Sequence, residues 1–186
     1  MKYVMSLFLT FSFLFLAMFG VSCIYGYLFP LKYEDEIATV AEIYDMDPVL
    51  IASVIKCESG FDCNAVSLKG AEGLMQLLPS TAEYLAKKLK YGEYDLKKPE
   101  DNIMLGTYYL SLLTEKFENE ALALCAYNAG PGNVQKWLSD EDNLDANGAL
   151  KVVPFEETRN YLKKCEQARR CLLYTSPSPR DTERSR

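Results

Sequence analysis

The fold class predicted for this chain is all-α, a small helical domain preceded by one N-terminal transmembrane helix. Three observations predict it. Apolar residues recur at helical spacing from about residue 37 to residue 168, the ends of those segments carry helix start and stop signals, and residues 3–31 contain no charged side chain. No strand pattern of comparable strength and no internal repeat is present, although the segment 61–79 has room for a short hairpin.

Composition narrows the function before any motif is considered. The chain has 186 residues, a length suited to one domain, and 49% of them are apolar, enough to build a core. Its net charge is −6, which argues against a nucleic-acid partner, because such faces need a basic stripe. It contains no histidine, and this excludes Ser-His-Asp and Cys-His catalysis, imidazole metal sites and histidine proton shuttles. Acid–base chemistry near neutral pH is left to carboxylates, Tyr, Lys, Cys or a terminus. No phosphate-binding glycine loop and no metal-ligand set is evident, so no cofactor and no metal are expected.

The first element is the uncharged run from Tyr3 to Leu31, longer than the roughly 20 residues that cross a bilayer core. Tyr25, Tyr27 and Phe29 stand where an interfacial aromatic belt lies. Lys2 precedes the run, whereas Lys32 is soon followed by Glu34, Asp35 and Glu36, so the charge bias predicts a cytoplasmic N-terminus and an exported body. Residues 1–32 are therefore expected to be a signal-anchor of a single-pass bacterial membrane protein. A cleaved signal, releasing a secreted protein, is the rival reading. Val21-Ser22-Cys23 faintly suggests lipidation, but Gly20 stands where such signals usually carry Leu.

The body, residues 33–170, reads as successive helices. Ile37, Val40, Ala41 and Tyr44 form the first stripe. Asp47-Pro48 is an N-cap followed by proline at the first helical position, and opens a helix through Leu50, Ile51, Val54 and Ile55 to Glu58, with Gly60 as the stop. Residues 61–79 read as a loop. Ser80-Thr81-Ala82-Glu83 has the form of a capping box before Leu85, Ala86 and Leu89. A polar stretch to Pro99 precedes a longer helix containing Ile103, Leu110 and Phe117. Ala121–Tyr127 forms another, stopped at Gly130-Pro131-Gly132, and a short one carries Trp137. Ser139 to Gly148 is an acidic linker, and Pro154 precedes a last helix from about Glu156 to Ala168. Residues 171–186, low in apolar side chains from about Leu172, resemble read-through and are expected to be a disordered or non-native tail.

Six cysteines in an exported chain invite a disulfide reading. Cys57 and Cys63 flank Glu58 closely enough to pair, whereas Cys125 and Cys165 fall within helical patterns as small core residues. The spacing leaves both states open, paired or reduced.

Glu58 is the residue placed for chemistry. It ends an apolar helix, where the negative end of the dipole and apolar walls both disfavour an ionised carboxylate and push its pKa up. On position alone it reads as a solvated helix-end residue, as most glutamates are surface charges. Its company changes the balance. Glu58-Ser59-Gly60-Phe61 is followed by Ala65-Val66-Ser67, by Gly70-Ala71-Glu72-Gly73-Leu74-Met75-Gln76, by Ala126-Tyr127-Asn128-Ala129-Gly130 and by Phe155-Glu156-Glu157-Thr158-Arg159.

These segments, in this order, resemble the lytic transglycosylase catalytic domain, similar to the C-terminal domain of soluble lytic transglycosylases, with a lysozyme-like fold shared with goose-type lysozymes. The resemblance covers residues 33 to about 168. It implies action on peptidoglycan glycan strands, at the β-1,4 bond between N-acetylmuramic acid and N-acetylglucosamine, with formation of 1,6-anhydromuramoyl ends. By resemblance Glu58 is the catalytic acid and base, while Ser67, Met75, Gln76, Tyr127, Asn128 and Glu157 bind substrate or arrange its cleft. Tyr127 is expected to hold the reaction-centre sugar through its hydroxyl. Asp62, the other acid near Glu58, reads as a turn residue. Leu78 stands where the family often has Met. Two further readings stand beside this one, a muramidase that hydrolyses the same bond and a non-catalytic peptidoglycan-binding scaffold.

Overall fold

The computed structural model describes residues 32–175, and the expected membrane span lies outside them. Among the described residues no helix is long and apolar enough to cross a membrane. Tyr33–Arg169 forms one compact unit. Its helices are α1 (Glu34–Tyr44), α2 (Pro48–Glu58), α3 (Pro79–Leu89), α4 (Pro99–Phe117), α5 (Glu120–Ala129), α6 (Pro131–Ser139) and α7 (Glu156–Thr175). The last residues of α7, from Arg170, fall outside this unit.

Local chemistry starts most of these helices. The Asp47 side chain accepts the Val49 N–H at 2.8 Å, and Pro48 supplies the first helical φ of α2, as the Asp-Pro signal predicts. Asn119 caps α5 through the Leu122 N–H at 3.0 Å. The expected capping box is corrected: α3 begins two residues earlier, at Pro79, with extended Leu78 rather than Ser80 in the cap position and no side-chain cap. Proline preorganises the first turn, so Ser80 lies inside the helix rather than before it. The last helix also runs past its expected end at about Ala168, to Thr175, because helix formers continue and no breaker occurs before Pro177.

The central helix α4 packs against α1, α3 and α5. One side of the core gathers Leu77, Ala82, Leu85, Leu96 and Leu105; the other gathers Leu113, Ala123, Cys125, Val134 and Trp137. Cys125 and Cys165 are buried, in keeping with their helical pattern. The segment between α2 and α3 is a folded loop with isolated antiparallel bridges at Val66–Glu72 and Glu72–Leu77. Asn102, fully buried on α4, holds it: its amide nitrogen donates to Glu72 O (2.9 Å) and Leu96 O (2.8 Å), while its oxygen accepts the Met75 N–H (2.7 Å). Gly73, at φ +77°, has to be glycine, because a Cβ there would collide with the Leu96 carbonyl and the Asn102 amide.

Candidate active site

A cleft of about 490 Å³ opens where this loop meets α2, α5 and the start of α7. Glu58, Ser67, Gln76, Tyr127, Asn128 and Glu157 all line it. Four separated segments of the chain thus converge on one wall.

Glu58 is the last residue of α2, and the chain turns sharply after it through Gly60 and Phe61, both in the left-handed region. Burial pushes its carboxyl up to about 7, against an opposing pull from the Tyr161 hydroxyl. The direction agrees with the expectation for a carboxylate at a helix end among apolar walls. Tyr161, on α7, is itself buried, and its hydroxyl makes no well-formed hydrogen bond; it lies close enough to Glu58 to act on its charge without a settled bond. A half-protonated acid near neutral pH can both give and take a proton, which is the property an acid–base catalyst needs.

The walls are held in place by bonds legible one by one. Ser67 Oγ accepts the Ala71 N–H at 2.9 Å, shaping the turn beside the cleft. Gln76 adopts a left-handed φ of +49°, a strained choice for a side-chain-bearing residue, and its amide donates to Gly73 O (2.9 Å) and Ala65 O (3.1 Å) to secure it. Asn128 Oδ1 accepts the Thr158 hydroxyl at 2.8 Å, pinning the start of α7 to the end of α5 and setting Glu157 on the rim, exposed. Arg159 donates to the carbonyls of Val153 (2.6 Å) and Pro154 (3.0 Å), fixing the approach to the same helix.

One expected binding residue lies outside the cleft lining, and another does further work within it. Met75 is fully buried beneath the cleft, against Gly106 and Thr107, so it supports the wall rather than touching a ligand; the Asn102 clamp on its N–H turns the side chain inward. Tyr127 lines the cleft, and its hydroxyl donates to Met75 O at 2.8 Å, tying it to the loop as well. Its ring packs on Tyr109 (centroids 5.3 Å apart), a cleft residue that periodicity places only as a helical aromatic. Asp62 is the turn residue expected: it is exposed, accepts the Asn64 N–H at 2.9 Å and does not line the cleft. Of the two states that the spacing left open for Cys57 and Cys63, the structure has the reduced one: both thiols are free. Cys57 instead meets Cys165 on α7, while Cys63, beyond the reversal at Gly60, meets Tyr33.

Helices closing around one raised carboxyl in the wall of this cleft define the class: a lysozyme-like helical domain. The family model described as Transglycosylase SLT domain matches residues 35–149, and the chain belongs to that family. It is 36% identical over 141 residues to the soluble lytic murein transglycosylase of Salmonella typhimurium, covering 73% of this chain and 22% of that protein. It is 32% identical over 169 residues to the membrane-bound lytic murein transglycosylase C of Actinobacillus pleuropneumoniae, covering 77% of this chain and 46% of that protein. Among solved structures, the 70 kDa soluble lytic transglycosylase from Escherichia coli superposes with a TM-score of 0.72 at 32% identity, over 81% of this chain and 25% of that one. The chain thus spans about a quarter of the soluble relatives it matches.

Proposed function

We propose that this domain is a peptidoglycan lytic transglycosylase with Glu58 as its single acid–base group. The observation that carries the reading is the Glu58 carboxyl, raised to about 7 by burial within the cleft. The names of the relatives supply the substrate class.

In the first step Glu58 donates its proton to the glycosidic oxygen as the bond to the muramoyl C1 breaks. The substrate's acetamido oxygen closes on C1 and takes up the developing charge. In the second step the muramoyl C6 hydroxyl attacks C1, the acetamido bond breaks, and Glu58 recovers the hydroxyl proton. The product carries a 1,6-anhydro ring, and no water is consumed. One carboxyl serves both steps, unlike two-carboxylate glycosidases. Ser67, Gln76 and Asn128 offer polar atoms along the wall, and Glu157 shapes the rim. Tyr127 acts through the loop it holds.

The uncharged run at residues 3–31 and the membrane-bound relative support an anchored, extracytoplasmic placement of the domain. Mass spectrometry of cell wall digested with the protein, with Glu58→Gln as control, tests the function. Anhydromuramoyl ends that vanish in the variant are the expected result. Products about one water heavier identify a muramidase, and an undigested wall identifies a scaffold.

A further inference from the structure

Immediately before Glu58, the last turn of α2 carries a thiol to which the proposed reaction gives no task. Cys57 is partly exposed and lies beside Cys165, which is buried on α7, close enough for each thiol to act on the other's charge. Both sulfurs are free thiols in this structure. Cys165 lies one helical turn beyond Tyr161, on the same face of α7, and contacts its hydroxyl as well. Two sulfurs, a phenol and the Glu58 carboxyl therefore form one cluster across the α2–α7 contact. The three other described cysteines are placed elsewhere: Cys125 is buried in the α5–α6 core, Cys63 faces Tyr33, and Cys171 follows Cys165 by six residues on α7.

We propose that Cys57 and Cys165 form a reversible disulfide that clasps the catalytic end of α2 to α7. Cys57 is the attacking thiol. Its contact with Cys165 lowers its pKa, with Lys164 and Lys56 adding to the effect, whereas Cys165 is raised and, being buried, reacts only through its neighbour. A small disulfide oxidant supplies the electron sink. The Cys57 thiolate attacks one oxidant sulfur and expels the other half as a thiolate, leaving a mixed disulfide. Cys165 then gives up its proton, attacks Cys57 Sγ and releases the second half. Two protons and two electrons leave the protein, and two small thiols form. The bridge closes a loop that runs through most of the domain, so it restricts the unfolded chain strongly. It also joins the residue before Glu58 to a residue one turn from Tyr161, fixing the carboxyl against the phenol.

The test uses the full chain in detergent micelles, treated with oxidised glutathione, alkylated, digested and mapped by mass spectrometry, with thermal unfolding in parallel. The expected result is a peptide pair linked through Cys57 and Cys165. A Tm increase of about 10 °C, reversed by dithiothreitol, accompanies it. Cys57→Ser and Cys165→Ser each abolish that increase, and Cys63→Ser retains it. A Cys57–Cys63 link, a stable glutathione adduct on Cys57 with Cys165 still alkylated, or an unchanged Tm would each overturn the proposal.

Discussion

Helix α2 begins and ends with a carboxylate, and the two are treated in opposite ways. Asp47, before its first turn, is fully partnered: one oxygen accepts the Val49 N–H, and the other pairs with Arg169, which also bridges to Glu120 on α5. Glu58, eleven helical residues later, is buried beside a phenol that makes no settled bond. The first end satisfies a helix terminus and ties α2 to α7. The second leaves an acid poised to exchange its proton. The contrast shows that placement and partners, not residue type, decide whether a carboxylate serves structure or chemistry.

Substitution at the poised end has the largest expected effect. Glu58→Gln keeps the shape and removes the exchangeable proton, so wall-degrading kcat falls roughly a thousandfold while circular dichroism stays unchanged. The same variant also reports on stability. A carboxyl whose folded pKa stands at about 7, above the ordinary 4.5, favours the folded state at low pH and loses that contribution as pH rises through 7. Glu58→Gln therefore gains stability on the wild type by up to about 3 kcal/mol at pH 8, and by little at pH 4. Denaturant unfolding at the two pH values checks the sign.

Opposite behaviour is expected of groups that are fully bonded. Asn102→Ala leaves the Leu96 carbonyl and the Met75 N–H unpaired in the interior and takes one of two donors from the Glu72 carbonyl, costing about 3 kcal/mol at either pH. Asp47→Ala removes a cap and a half-exposed ion pair, costing about 1–2 kcal/mol, with activity per folded molecule kept. The smallest effect belongs to Tyr161→Phe. Without the hydroxyl that holds the Glu58 pKa down, the alkaline limb of the pH–rate profile moves to higher pH, and stability changes little because that hydroxyl made no settled bond.

These groups differ equally in how far the sequence discloses them. Asp47-Pro48 is a local signal, one capping side chain beside one ring-fixed φ, and its helix is legible without tertiary information. The direction of the Glu58 shift is legible too, since a helix end and flanking apolar residues both push one way. The convergence of Ser67, Gln76, Asn128 and Glu157 follows from motif order, which records a fold that periodicity alone does not. Tyr161, Asn102 and the Cys57–Cys165 contact depend on long-range packing, so spacing cannot announce them. Met75 is the instructive case: a motif keeps residues that shape a cleft from beneath, as buried Met75 does, alongside those that line it, as Tyr127 does.

The central claim is most directly tested by titrating the Glu58 side-chain carboxyl by carbon NMR in the folded protein, using Glu58→Gln to assign the resonance. The expected midpoint is near 7. A midpoint at the ordinary glutamate value of about 4.5 would contradict it.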